Sequence, residues 1–208
     1  MSLDKKTDET VKDKLSVLLI EEQPKSSSKL KSALLGFGYE VTKHSSFDIN
    51  LIEQIDVCHP DILILATDLP SRSLLKTLAS INQMFPLPIV IFAENDSPTV
   101  ILDAIQVGVS AYVVSEVLPQ QIKGVISVAN ERFKAIQALR SELKQTKTQL
   151  EGRKVIEKAK GLVMEQKQIS ESDAYNSLRK MAMDQGRSLV SVAKNIIDVC
   201  QLLSTSKT

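Results

Sequence analysis

Five short apolar runs, SVLLI (16–20), YEVTKH (39–44), DILILA (61–66), PIVIFA (88–93) and AYVVS (111–115), punctuate the first 115 residues. Between them Leu, Ile and Ala recur at helical spacing, so strand and helix patterns alternate. That alternation predicts βαβ units and a five-stranded, doubly wound parallel sheet, because parallel neighbours need a crossover and the crossover helices cover both faces. Gly36 and Gly38 close the first helix, Pro86 and Pro88 interrupt the chain before the fourth strand, and Gly108 ends the helix before the fifth. In such sheets chemistry gathers at the carboxyl ends of the strands, here the loops after Ile20, Leu65 and Phe92.

From Pro119 the period becomes helical throughout. Ile122, Ala129, Ile136, Leu143 and Leu150 share one heptad position, and Val125, Arg132, Leu139 and Thr146 share the next. Residues 122–133 read as a fifth helix lying on the sheet. Beyond Ile136 no sheet is left to cover, so Ile136, Leu139, Leu143 and Leu150 are expected to form the seam of a short coiled coil and a homodimer. RKVIEKAKGLVMEQKQ continues this helix. Ser170 with Asp173 reads as a capping box for a second helix ending near Gln185 and Gly186, and Ser188 caps a third through about Leu203. Val155, Ala159 and Leu162, then Ala174, Leu178 and Met181, then Leu189, Val192, Ile196 and Leu203 are the expected shared core, with Met164, Met181 and Met183 filling it. The whole reads as an α/β domain, a long coiled-coil helix and a small three-helix all-α domain. The expected boundaries are a disordered N-terminus (1–14), the sheet domain (15–130), a linker helix (131–151) and the helical domain (152–204).

Composition narrows the chemistry. The 208 residues are 43% apolar and 25% charged but only 4% aromatic, which argues for a globular chain and against a surface built of many stacking rings. Cys58 and Cys200 have no partner at metal-ligand spacing, and neither His44 nor His59 has one, so no metal and no cofactor is expected. The N-terminal MSLDKKTDETVKDK is charged where a signal peptide is apolar, and no run approaches a membrane span. A cytoplasmic chain with no membrane partner is the expectation. No Ser-His-Asp order, phosphate loop or paired-carboxylate motif is present, so no catalytic residue and no enzymatic activity is expected. Residues 151–208 hold ten Lys and Arg against seven Asp and Glu, while residues 1–150 hold sixteen against eighteen. The basic excess therefore sits in the tail, which is compatible with nucleic acid without requiring it, because phosphate binding needs the cations clustered on one face.

VLLIEEQP resembles the opening of response-regulator receiver domains, where two acids after the first strand hold Mg²⁺; here these are Glu21 and Glu22. DILILATDLP resembles the receiver's third strand and its loop, PIVIFAE the fourth, and GVSAYVVSE the segment of the fifth. The resemblance also implies where chemistry fails. Ala66 stands at the phosphoryl-accepting position, Ala93 at the hydroxyl position and Ser115 at the lysine position, while Asp68 lies two residues late, roughly 6–7 Å along an extended chain. Transfer to an aspartate needs a carboxylate nucleophile with groups that clamp the phosphoryl oxygens. The resemblance thus implies a non-phosphorylatable pseudo-receiver used for protein interaction, with Glu21 and Glu22 as exposed loop acids.

Arg153-Lys154, Ile156, Ala159-Lys160-Gly161, Met164, then Ala174-Tyr175, Leu178-Arg179, Met181-Ala182-Met183, then Val192-Ala193 resemble the ANTAR domain, the RNA-binding output module of antitermination regulators. With PSR after the third strand and GVSAYVV, the chain is most similar to nitrate-type regulators, although Ala66 and Gln168 depart from the pattern. The resemblance implies binding of leader-transcript RNA hairpins and a ligand-sensing inhibitory protein partner. Its candidate contacts are Arg153, Lys154, Lys158, Lys160, Arg179, Lys180 and Arg187 for phosphates, with Tyr175 stacking on a base or closing the core rim. Two other readings are weighed beside it. A DNA-binding response regulator would need a polar recognition helix, and VSVAKNIIDVCQLL is mostly apolar; a dimeric adaptor would need no nucleic acid at all.

Overall fold

The computed structural model describes residues 14–21, 27–44, 51–114 and 118–205. The expectations for residues 1–13, Glu22 and Ser115 fall outside these residues, as does the Leu203 side chain. Strands β1 (Ser16–Glu21), β2 (Glu40–His44), β3 (Ile62–Thr67), β4 (Ile89–Ala93) and β5 (Ala111–Val114) form one parallel sheet in the order β2-β1-β3-β4-β5. Helices α1 (Ser27–Gly36), α2 (Leu51–Cys58), α3 (Arg72–Met84) and α4 (Pro98–Gln106) link them, and α5 (Pro119–Lys167) follows. The chain divides between Gln137 and Ala138 into two compact units.

Within the first unit the strands read as continuous apolar runs because both faces are covered. Successive side chains of a strand point to opposite faces, so Val17 and Leu19 meet Leu34 of α1 and Ile122, Ile126 and Ala129 of α5. Leu18 and Ile20 meet the other layer, formed by Ile55 of α2, Leu74, Leu75, Leu78 and Ile81 of α3, and Ala104 of α4. Burial of Ile122, Ile126 and Ala129 against the sheet matches the expectation for the start of α5. Ser71 caps α3 by accepting from the Leu74 amide at 3.1 Å. Gly108 has φ +99°, and a Cβ there would stand 1.9 Å from Nδ2 of Asn82, whose amide donates to the Val107 carbonyl at 3.2 Å. A side chain at 108 would break that tie as well as strain the backbone.

The second unit holds the C-terminal part of α5 with α6 (Glu171–Asp184) and α7 (Leu189–Thr205). Ser170 caps α6, accepting from the Asp173 amide at 3.2 Å while donating its hydroxyl to the Asp173 carboxylate at 2.6 Å. Gly186, φ +59°, reverses the chain, and Ser188 accepts from the Ser191 amide at 3.2 Å to start α7. The core is small: Ala159, Val163, Ala174, Leu178, Ala193 and Ile197 are buried, with Val155, Leu162, Met164, Met181, Leu189 and Ile196 packed at its edge. Met183 is a correction. It is 73% exposed rather than part of the core, because Ala182 and Leu178 take the inward stripe of α6.

Candidate functional site

The carboxyl edge of the sheet gathers the residues that the receiver likeness singled out. Strand register places Glu21 beside Ala66 and Thr67 beside Ala93. Ala93 is buried and Ala66 half-buried, and each offers only a methyl group. Asp68 is exposed just past β3, with its carbonyl accepting from the Asn95 amide at 3.1 Å. Glu21 overturns an expectation: it is not an exposed loop acid but a buried strand residue, its side chain 2% exposed. The reason is register. Lys43 pairs with Leu19, two residues before Glu21 on the same face of β1, so its stem runs along the sheet and brings Nζ to 2.5 Å from Glu21 Oε2. A buried carboxylate demands such a counter-charge.

In the second unit Arg153, Lys154 and Lys158 of α5, Arg179 and Lys180 of α6, and Arg187 beyond it are exposed, as is Tyr175 at 42%. The tyrosine ring thus stands at the surface rather than closing the core. Lys160 differs from the other cations. It lies beside Ala159 on the inward side of α5, 10% of its side chain is exposed, and its ammonium is held by Glu157 at 2.5 Å and Glu171 at 2.6 Å. Hydrogen bonds to Glu157 and then Glu171 raise the Lys160 pKa above its ordinary value, against an opposing effect of burial. The hydrogen bond from Lys160 holds the Glu171 carboxyl below its ordinary value. Lys160 therefore ties α5 to the first turn of α6. Glu157 three residues earlier was the sequence signal for this role, but Glu171 lies in another helix, and only the bundle brings it close.

One cation escaped the sequence reading. Lys194, which with Asp198 makes up the charged pair of the otherwise mostly apolar α7, faces Lys154 and Lys158 across a hollow of about 400 Å³ between α5 and α7, floored by Val155 and Ile197. Tyr175, Arg179 and Lys180 do not line it. The basic residues thus fall into an α5/α7 set and a separate α6 set. Between α5 and α6, Gln168 adopts φ +53°, the left-handed region that glycine enters freely, and its amide donates to the Glu165 carbonyl at 2.8 Å. Along α5, Ile136, Leu139, Leu143 and Leu150 are each at least 43% exposed. Among the described residues no group of three or more metal-ligating side chains occurs, and no helix is long and apolar enough to cross a membrane.

Residues 144–197 match the ANTAR domain. The transcriptional regulatory protein PdtaR of Mycobacterium tuberculosis is 26% identical over 182 residues, spanning 88% of this chain and 89% of the relative. The nitrate regulatory protein of Klebsiella oxytoca is 35% identical over 77 residues, which cover 37% of this chain and 19% of that protein. Among solved structures, the signal receiver domain of a modulated diguanylate cyclase from Desulfovibrio desulfuricans superposes with a TM-score of 0.52 at 20% identity, over 59% of this chain and 98% of that domain. Its likeness concerns the fold alone. The chain thus joins a domain with the receiver fold to a segment that matches the ANTAR domain.

Proposed function

We propose that this chain is a non-enzymatic antitermination regulator whose helical unit grips hairpins in a leader transcript and so prevents a terminator from forming. The observation that carries the reading is the ANTAR match over residues 144–197, which coincides with a unit whose Arg153, Lys154, Lys158, Arg179, Lys180 and Arg187 all reach solvent. RNA hairpins are recognised through phosphates, 2′-hydroxyls and unpaired bases, for which exposed cations and a surface aromatic such as Tyr175 are suited. Lys160 contributes by holding α6 in place rather than by touching RNA. Nitrate or nitrite as the inducing signal is supported by the K. oxytoca relative. The division into a pseudo-receiver (15–130), linker (131–151) and RNA-binding domain (152–204) is part of the same proposal.

The receiver-fold domain then serves as a protein-interaction module, bound by a ligand-sensing inhibitory partner. Ala66 cannot accept a phosphoryl group, Ala93 has no hydroxyl to hold one, and Glu21 is already neutralised by Lys43. Exposed apolar residues at heptad spacing on α5 support a homodimer through that helix. The test compares affinity of the full chain for a leader RNA hairpin and for duplex DNA of the same sequence. Tighter RNA binding is expected; equal binding or DNA preference refutes the reading, and binding to neither leaves an adaptor. Incubation with acetyl phosphate and Mg²⁺ should leave the mass unchanged, whereas an acid-labile adduct on Asp68 would restore a phosphorylation role.

A further inference from the structure

Lys154, Lys158 and Lys194 share one property that Lys160 lacks: among the described residues no carboxylate lies within ion-pair distance of any of them. They surround an apolar floor, and the two carboxylates of the lining, Asp198 and Glu151, form no ion pair with them. The hollow of Lys154, Val155, Lys158, Lys194, Ile197 and Asp198 continues into a second of about 510 Å³, where Lys154, Val155 and Lys194 recur with Thr148, Glu151, Gly152 and Val190. Both volumes fall in the range of small-ligand sites, roughly 300–1,000 Å³. Gly152 brings the helices together at that end, since a Cβ there would stand 3.2 Å from Cγ2 of Val190. The groove therefore combines unpaired cations at its rim, an aliphatic floor and acceptor oxygens on Asp198, Glu151 and Thr148. Simple anions have no use for the floor, and an apolar ligand has none for the lysines. A ligand with a phosphate, a flat ring and ring-edge donors uses all three.

Resting on the RNA-binding reading above, we infer that the α5/α7 groove seats one unpaired nucleotide of the hairpin loop. Its phosphate lies between Lys154 and Lys194, its base lies against Val155 and Ile197, and Asp198 accepts from the N–H donors of the base edge. Lys158 adds a second phosphate contact along the strand. The loop rather than the stem is the fitting part, because a paired base cannot leave its stack to reach an aliphatic floor, whereas unpaired loop bases can be splayed outward. The α6 set, Arg179 and Lys180, remains available for the stem backbone.

The test uses the full chain and an RNA hairpin library with a fixed stem and a randomised loop, beside the same stem closed by a flexible non-nucleotide linker. Lys154→Gln and Lys194→Gln should each weaken binding of the looped library about tenfold and reduce the magnitude of the log-affinity against log-salt slope by roughly 0.7–0.9. Neither substitution should alter binding of the linker-closed stem. Arg179→Gln should weaken both RNAs alike. Both lysines are exposed, so helical content and the unfolding midpoint serve as folding controls. Undiminished binding by Lys194→Gln and Lys154→Gln, with the parent binding well, overturns the groove and spares RNA binding. Equal loss on looped and linker-closed RNA assigns the lysines to the stem and also overturns it. A parent that binds neither RNA refutes the RNA-binding reading itself.

Discussion

The two units of this chain invert each other. The sheet unit has a deep core of large aliphatic side chains, Leu18, Ile20, Leu63, Ile64, Leu65, Leu78 and Ile91 among them, yet Ala66 and Ala93 stand at the carboxyl edge of the sheet. The helical unit has a thin core in which Ala159, Ala174 and Ala193 figure largely, yet its exposed faces carry unpaired cations. Scaffold and chemistry are therefore separable. A doubly wound sheet holds its form with only methyl groups at Ala66 and Ala93, because the apolar strands specify it. The small bundle carries its charge on its surface, and α6 is tied to α5 by a single ion-paired lysine.

Breaking the cores gives the largest contrast. Leu65→Ala removes a fully buried side chain in the middle of β3, and Leu178→Ala removes one in the helical unit. Both should destabilise by about 2–5 kcal/mol, and the loss at Leu65 should be the larger because its close-packed surroundings cannot collapse into the cavity. Hydrogen exchange should show each loss confined to its own unit. Equal global loss from both would show the units to be one cooperative block. Leu143→Asp comes next: a charge buried in the proposed seam should cost several kcal/mol of association while leaving each unit folded. Sedimentation that finds the variant pairing as tightly as the parent places the dimer contact elsewhere.

Smaller effects separate the roles of the tail residues. Tyr175→Ala should cost roughly 1–3 kcal/mol of RNA affinity without changing the salt slope, since a stacked base carries no counter-ion. The Lys160–Glu171 tie gives a pH signature. Glu171 has a depressed folded pKa, so its contribution is present above its ordinary value of 4.5 and is lost as pH falls through the lower folded value. Lys160 has a raised pKa, so its contribution is present below 10.5 and is lost as pH rises through the higher folded value. The pair should therefore stabilise the helical unit evenly between these limits, and Glu171→Gln should remove the acid-side part. A variant with the parent's acid unfolding profile would show the tie to be without consequence. Gln168→Gly, the mildest change, should be near neutral or raise stability by about 0.5 kcal/mol, because relief of the left-handed backbone outweighs the loss of one side-chain hydrogen bond. Thermal melts read this directly.

The order of elements was legible because the signals for it are local. Apolar periodicity, Gly108, Ser170, Gly186 and Ser188 act on neighbours within a few residues, and a strand or a cap needs no distant partner to declare itself. The side chains of Ala66 and Ala93 were legible for the same reason, since a methyl group offers neither a nucleophile nor a hydroxyl wherever the fold puts it. Three other properties were settled only by tertiary structure. Glu21 is buried because β2 brings Lys43 alongside it, Lys160 is withdrawn from the basic surface because α6 presents Glu171, and Lys194 joins Lys154 and Lys158 because α7 packs across α5. In each case the partner lies 11 or more residues away, and whether a charge is spent inside the molecule or left for a ligand depends on that meeting, which no periodicity in the sequence encodes.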